Sequence, residues 1–390
     1  MTQKELTELI DKYLSGQATP AEKRKIEQWY ESFDQAPIQN EEEVVERIHA
    51  SLEHNLQKTR QRLLRLQKQD QPKPGKIGRS WMRVAAVGIL FIALSTAFYV
   101  LLQHAPQKML AVTAQNSERL YGPATNHAIL TLANGQTIVL DSNQNGVVSV
   151  QGKTKITKTG NGLLTYNTTA QSQAPQLDGQ DYNSLHTPRG AKFQIVLADG
   201  SKVWLNAAST IRFPAAFGAK SRDIQLTGEA YFEIAKDPNR PFHVLAKGLN
   251  VNVLGTRFNV MAYENENMIK TTLLEGAVKI SKGNNSLSLG PGEAGWLTKE
   301  DHLQRVMLTD ATREIAWKNN LFWFKDNNIE TVMRQLSRWY DIDVVYNGPI
   351  PSGHYSGIIS RNTNLSQVLE TLKLSGIHFK IDNNQLTVLN

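Results

Sequence analysis

At 390 residues with 40% hydrophobic content, the chain is long enough for two or three domains with cores of their own, which excludes a disordered tail. It has no cysteine, so a disulfide framework, a thiolate metal centre and a cysteine nucleophile are all excluded. The formal charge of +7 is unevenly spread: residues 1–53 hold six Lys/Arg against twelve Asp/Glu, and residues 58–83 hold nine Lys/Arg against Asp70 alone, which argues against a nucleic-acid partner.

Near the start, Leu6, Leu9, Ile10, Tyr13 and Leu14 fall at helical spacing and make one apolar stripe ending near Gly16. Thr19-Pro20-Ala21-Glu22 has the form of a capping box with proline at the first helical position, and Ile26, Trp29, Tyr30 and Phe33 continue the second stripe. Asn40 followed by Glu41, Glu42 and Glu43 offers another N-cap for a third helix running to about Lys68. The pattern predicts a small all-α head over residues 1–70. Three short helices bury their stripes incompletely, so Leu6, Ile10, Leu14, Trp29 and Tyr30 are candidates for binding a partner.

Residues 71–83, with two prolines and two glycines, form a basic linker. From Val84 to Leu102 nineteen residues carry no charge, enough at about 1.5 Å each to cover the hydrocarbon thickness of a bilayer. Arg65, Lys68, Lys73, Lys76, Arg79 and Arg83 precede the run, whereas Lys108 and Arg119 are the positive residues in the twenty that follow. The positive-inside rule therefore predicts one transmembrane helix with the N-terminus cytoplasmic and residues 103–390 outside the inner membrane.

Beyond the span the pattern becomes short β-branched and aromatic runs broken by Asn-Gly, Asp-Gly and Pro, predicting an all-β domain over 103–310. One unit occurs twice at an offset of 65: Ile129-Leu-Thr-Leu-Ala-Asn-Gly135 with Ile138-Val-Leu-Asp141, and Ile195-Val-Leu-Ala-Asp-Gly200 with Val203-Trp-Leu-Asn206. Each reads as a hairpin turning at its glycine. Residues 317–390 alternate strand and helix patterns, with helices expected at Ile329–Tyr340 and Leu365–Leu374. Asn328–Leu336 lies over Asn364–Leu372, which predicts an α+β domain with a doubled β-α-β unit.

The nine histidines lack metal-ligand spacing, and no phosphate loop, dinucleotide fingerprint or serine-nucleophile motif is present, so neither cofactor nor metal is expected. Asp199, Glu229, Glu233, Asp237 and Glu275 could in principle pair as glycosidase acids, but Asp199 lies in a turn and the others read as turn or solvent-face charges. The chain is not expected to be an enzyme.

The blocks Thr187-Pro-Arg-Gly190, Leu197-Ala-Asp-Gly-Ser-Lys-Val-Trp-Leu-Asn206, Leu226-Thr-Gly-Glu-Ala-Tyr-Phe-Glu233, Pro241-Phe-His-Val244, Val253-Leu-Gly-Thr-Arg-Phe-Asn-Val260, Leu274-Glu-Gly-Ala-Val278 and Pro291-Gly-Glu293, in this order, resemble the FecR family of anti-sigma factors. Trp317 to Asn390 is similar to the C-terminal domain of the version common in Bacteroidetes-type bacteria, itself like the short N-terminal domain of secretins and TonB-dependent transporters.

The resemblance implies a multidomain signalling protein. An extracytoplasmic-function sigma factor would be its partner in the cytoplasm and a TonB-dependent outer-membrane transporter its partner in the periplasm, with proteases as further partners. Some family members are thought to break their own chain at a Gly-Thr bond, and Gly255-Thr256 stands in the matching block; the plain alternative is a turn glycine before a strand threonine. Two other readings fit the β-rich region: a membrane-anchored glycan-binding or glycan-processing protein, and a structural piece of a secretion or uptake machine.

Overall fold

The structure, a computed structural model, describes Thr19, Ala21, Glu22, Arg24, Lys25 and residues 121–141, 145–160, 162–168 and 182–389. Strand dominates them, because residues 121–307 alternate inward and outward with period two.

Two sheets make a sandwich. One runs in the order Asn285–Leu289, Val278–Lys282, Leu249–Val253, Phe242–Ala246, residues 222–227, Ser209–Pro214, Tyr182–Thr187, Ala128–Thr131 and Thr137–Leu140. The other runs Gly146–Gln151, Thr154–Thr159, Leu163–Thr168, Ala191–Val196, Lys202–Leu205, residues 228–233, Arg257–Ala262, Met268–Glu275, Glu293–Thr298 and Leu303–Met307. Their inward residues form one core, including Leu130, Leu140, Ile195, Leu205, Phe213, Phe232, Phe242 and Phe258.

The strand Arg222–Glu233 belongs to both sheets, its first half paired with Ser209–Pro214 and its second with Lys202–Leu205 and Arg257–Ala262. The crossing falls at Gly228, whose φ is +92° and where an added Cβ would lie 2.7 Å from Ser209 Cα and 2.8 Å from the Ala208 oxygen. Only glycine satisfies both the left-handed backbone and this close approach.

After a 3-10 turn at Ala311–Ile315 comes a second module. Strand Leu321–Asn328 pairs with His354–Ser360, and Asp343–Asn347, Gln385–Leu389 and His378–Asp382 form a second small sheet. Helices α1 (Ile329–Tyr340) and α2 (Leu365–Lys373) supply Ile329, Val332, Met333, Leu336, Leu365, Val368 and Leu369 to its core. Both begin on the repeated asparagines: Asn328 Oδ1 accepts from the Thr331 N–H at 3.0 Å, and Asn364 holds the equivalent place without a side-chain cap bond. The doubled unit read from the sequence thus lies where the periodicity puts it, with Gln385–Leu389 as an additional strand.

The expected architecture of an all-α head, a membrane helix and outer domains requires correction. Among the described residues the protein is mostly strand, α1 and α2 supply the α-helices, and no helix is long and apolar enough to cross a membrane. Of the expected head, the structure describes a capped helical turn: the Glu22 N–H donates to Thr19 Oγ1 at 3.3 Å, and the Thr19 N–H and hydroxyl donate to Glu22 Oε2 at 2.9 and 2.8 Å. That is the capping box read from sequence, but a domain does not follow from it, since short amphipathic helices are held by packing rather than by their own stripes. The partner-binding candidates Leu6, Ile10, Leu14, Trp29 and Tyr30, and the span Val84 to Leu102, lie outside the described residues.

Candidate functional site

The chemistry of the molecule concentrates where the sandwich meets the C-terminal module. Thr187-Pro-Arg-Gly190 leads into the strand Ala191–Val196, and it reaches the end of α1. The Gly190 N–H donates to the Arg338 oxygen at 2.8 Å. Arg189 binds Asp341 at 3.0 Å and Asp343 at 2.6 Å, and donates to the Ser337 oxygen at 3.4 Å. A guanidinium at a helix C-terminus satisfies the last carbonyls and complements their dipole.

Glu229 lies deeper in the same seam, buried. Asn206 Nδ2 donates to its Oε2 at 2.7 Å and Asn259 Nδ2 to its Oε1 at 3.0 Å. Trp317 Nε1 donates to Asn259 Oδ1 at 3.2 Å, and Arg361 Nη1 reaches across from the second module to Asn206 Oδ1 at 3.0 Å. Burial, the strongest influence, pushes the Glu229 carboxyl above its ordinary pKa against the two amide donors and the charges of Arg361 and Arg338. Burial likewise lowers the Arg361 guanidinium to about 10, with Glu229 opposing. Its plane lies 4.5 Å from the Phe322 ring centre and 4.7 Å from that of Trp339.

A second buried cluster joins α1 to the sandwich. Arg338 Nη2 donates to Glu266 Oε1 at 2.8 Å and stacks 4.0 Å over Tyr263, while Arg334 Nε donates to Glu266 Oε2 at 2.9 Å. Breaking one partner of such a pair costs about 3–5 kcal/mol because an unpaired charge stays buried. The two modules are therefore held in one arrangement by charge and hydrogen bonding, not by apolar area alone.

Of the five carboxylates considered as glycosidase acids, four each face a different basic residue. Asp199 binds Arg222 at 2.7 Å, Asp237 binds Arg240 at 2.7 Å, Glu275 binds Arg257 at 2.9 Å, and Glu233 lies 4.0 Å from Lys318. Asp199 lies in a turn, as read, with its side chain buried against Arg222, and one expectation needs correction: Glu229 is neither a turn nor a solvent-face charge. Among the described residues no cluster of three or more metal-ligating side chains occurs.

Gly255-Thr256 sits in a tight loop after Leu249–Val253. A Cβ at Gly255 would lie 2.7 Å from Lys236 Cα, so close backbone approach explains this glycine. Thr256 is buried, its hydroxyl donates to the Ala277 oxygen at 3.0 Å, and its carbonyl accepts from the Ile234 N–H at 3.1 Å. A carbonyl acceptor cannot take a proton from the hydroxyl, so in this geometry Ala277 does not serve as the base a nucleophilic threonine needs.

The fold defines a β-rich, two-module protein locked by a buried ionic seam. Residues 183–279 match the family model for the FecR protein, and residues 321–388 match that for the FecR C-terminal domain. Both matches are to domains of the FecR family. The chain is similar to two crystal structures, at 2.50 and 1.65 Å resolution, of a candidate anti-sigma factor from Parabacteroides distasonis ATCC 8503. The first is 25% identical with a TM-score of 0.51, covering 54% of this chain and 99% of that one; the second is 26% identical with a TM-score of 0.50, covering 53% and 97%. A search of curated proteins gives no match.

Proposed function

We propose that this protein is an anti-sigma factor that relays an extracytoplasmic signal. The carrying observation is that both FecR models match along one chain that is also similar to a candidate anti-sigma factor. In this reading the N-terminal residues, through Leu6, Ile10, Leu14, Trp29 and Tyr30, hold an extracytoplasmic-function sigma factor. The uncharged run Val84 to Leu102, with its basic N-terminal flank, anchors the chain in the inner membrane with residues 103–390 in the periplasm.

The periplasmic partner in this reading is a TonB-dependent transporter, docking by strand addition on the C-terminal module. His378–Asp382 is an outer strand of its sheet, with an exposed face. The seam supplies the physical means of relay: a load on α1 reaches the sandwich through Arg338, Arg189 and Arg361 without a flexible joint.

The full chain should co-purify with a coexpressed sigma factor of this class, and Trp29→Ala with Leu14→Ala should reduce capture at unchanged expression. Absence of any sigma factor would sink the reading. Reporter fusions at Lys68 and Asn390 should report opposite compartments, and the same compartment for both would refute the topology.

A further inference from the structure

Beside the seam lies a cleft of about 300 Å³, at the lower end of the range for small-molecule sites. Its lining is basic: Lys270, Arg313, Lys325, Arg334, Arg338 and Arg361 stand against Glu229, Glu266 and Glu314. Six cations against three carboxylates leave the lining a surplus of three positive charges even with every carboxyl ionised.

The pairing inside the cleft deepens the imbalance. Glu266 is shared by two guanidiniums, Arg338 on one oxygen at 2.8 Å and Arg334 on the other at 2.9 Å. Glu314 is shared by Arg313 at 2.9 Å and Lys270 at 3.9 Å. Glu229 spends both oxygens on the Asn206 and Asn259 amides. Arg361 and Lys325 therefore have no carboxylate partner among the described residues, and the buried Arg361 Nε meets no acceptor at all. Exposure runs the same way. The side chains of Arg334, Lys270 and Arg313 are 24, 26 and 27% exposed, and Lys325 more so, whereas Glu314 and Glu266 are 17 and 8% exposed, so cations rather than carboxylates face an incoming ligand. Lys270 and Arg361 already cover the ring faces of Trp296 and Trp339, so the cleft offers charge more than stacking surface. Like charges crowded into a partly desolvated site repel one another, and an anion from outside relieves that repulsion while accepting from the free donors.

We infer that this cleft binds a small multivalent anion, one carrying two or three carboxylate or phosphate groups. One charge offsets a third of the surplus; several on one small frame offset it all, and guanidinium forks take either group through paired hydrogen bonds. Lys270 stands on the sandwich strand Met268–Glu275, whereas Lys325 stands on Leu321–Asn328 and Arg334 on α1. A ligand bridging them touches both modules and changes how firmly they are held together, a differential contact of the kind signalling requires. The inference does not rest on the sigma-factor reading, because it uses only the charges and geometry of the cleft.

The test is calorimetric titration of the full chain, in an uncharged detergent at low salt, with tricarballylate, pyrophosphate and acetate. Tricarballylate or pyrophosphate should bind with a Kd below about 1 mM, the tighter of the two telling carboxylate from phosphate recognition, and acetate should bind at least about tenfold more weakly. Arg313→Gln with Lys325→Gln removes two of the six cations and should weaken the tighter ligand at least about tenfold. Lys325→Glu alone changes an exposed, unpaired side chain, so the fold tolerates it, and it should weaken binding about threefold or more. Lys220→Glu makes the same charge change on an exposed lysine outside the cleft and should leave the Kd unchanged. The assignment is overturned if neither multivalent anion binds, if acetate binds as tightly as both, or if Lys220→Glu weakens binding as much as Lys325→Glu. It is equally overturned if the folded double variant keeps full affinity, or if a tetra-aspartate peptide binds and the small anions do not.

Discussion

The two hairpins related by an offset of 65 residues share a turn and differ in its use. In the first, Ala128–Thr131 with Thr137–Leu140, the Gly135 N–H donates to the Leu132 oxygen at 2.8 Å, and Asn134 Oδ1 accepts from the Gln136 N–H at 3.0 Å. In the second, Ala191–Val196 with Lys202–Leu205, the Gly200 N–H donates to the Leu197 oxygen at 2.9 Å, and Asp199 Oδ1 accepts from the Ser201 N–H at 3.0 Å. Gly135 and Gly200 have φ of +84° and +86°. Yet Asn134 is exposed, whereas the Asp199 side chain is 3% exposed against a fully buried Arg222. Local sequence sets the turn, and the covering partner decides whether its polar residue becomes a structural charge.

Arg222→Ala should separate the two copies most sharply. Arg222 also donates to the Arg240 and Ala235 oxygens, both at 2.8 Å, so its loss strands a buried carboxylate and two carbonyls. The expected destabilisation is about 3–5 kcal/mol, read from denaturant unfolding, against less than about 1 kcal/mol for Asn134→Ala. Equal effects would mean that the second turn draws nothing from its ion pair. Asp199→Asn should fall between, at about 1.5–3 kcal/mol: its oxygen still closes the turn on Ser201, but Arg222 loses its counter-charge.

The same contrast explains what was legible in the sequence. Turns and hairpins follow from Asn-Gly and Asp-Gly, and α1 and α2 from apolar spacing and asparagine caps, because these signals are local. Strands Gly146–Gln151, Thr154–Thr159 and Leu163–Thr168 escape notice because polar Thr154 and Lys158 share their inward positions with Ile156. Thr154 and Thr168 hydroxyls bond each other at 2.8 Å, and Lys158 Nζ donates to the Gly160 oxygen at 3.2 Å, so no hydrophobic alternation marks the strand.

Glu229 was illegible for a different reason. In Leu226-Thr-Gly-Glu-Ala-Tyr-Phe, Ala230 and Phe232 face the sandwich core, so parity sends Glu229 and Tyr231 to the outer face, where solvent is the default. Ile315 and Trp317 cover Tyr231, and Asn206, Asn259 and Arg361 enclose Glu229. No pattern within the strand encodes a cover supplied by other elements of the chain.

The smallest expected difference is a pH dependence confined to the first hairpin's sheet. His186 lies opposite Ile129, and its Nδ1 shares a hydrogen bond of 2.9 Å with Thr210 Oγ1. Burial first, and then the nearby charge of His127, lower its pKa from 6.5, with a hydrogen bond to the Ser209 backbone opposing. The unfolded chain therefore takes up the proton more readily. Stability should fall as pH drops through 6.5 and level off below the folded value. The Asp223 carboxyl, held below its ordinary value mainly by His243, loses its stabilising effect only in a separate and more acid window. Thermal unfolding from pH 8 to 5 should show a shallow decline that His186→Gln flattens while Asp199→Asn leaves its slope intact. If Asp199→Asn alone abolished the decline, the pH response would belong to the second hairpin and the division between the copies would fail.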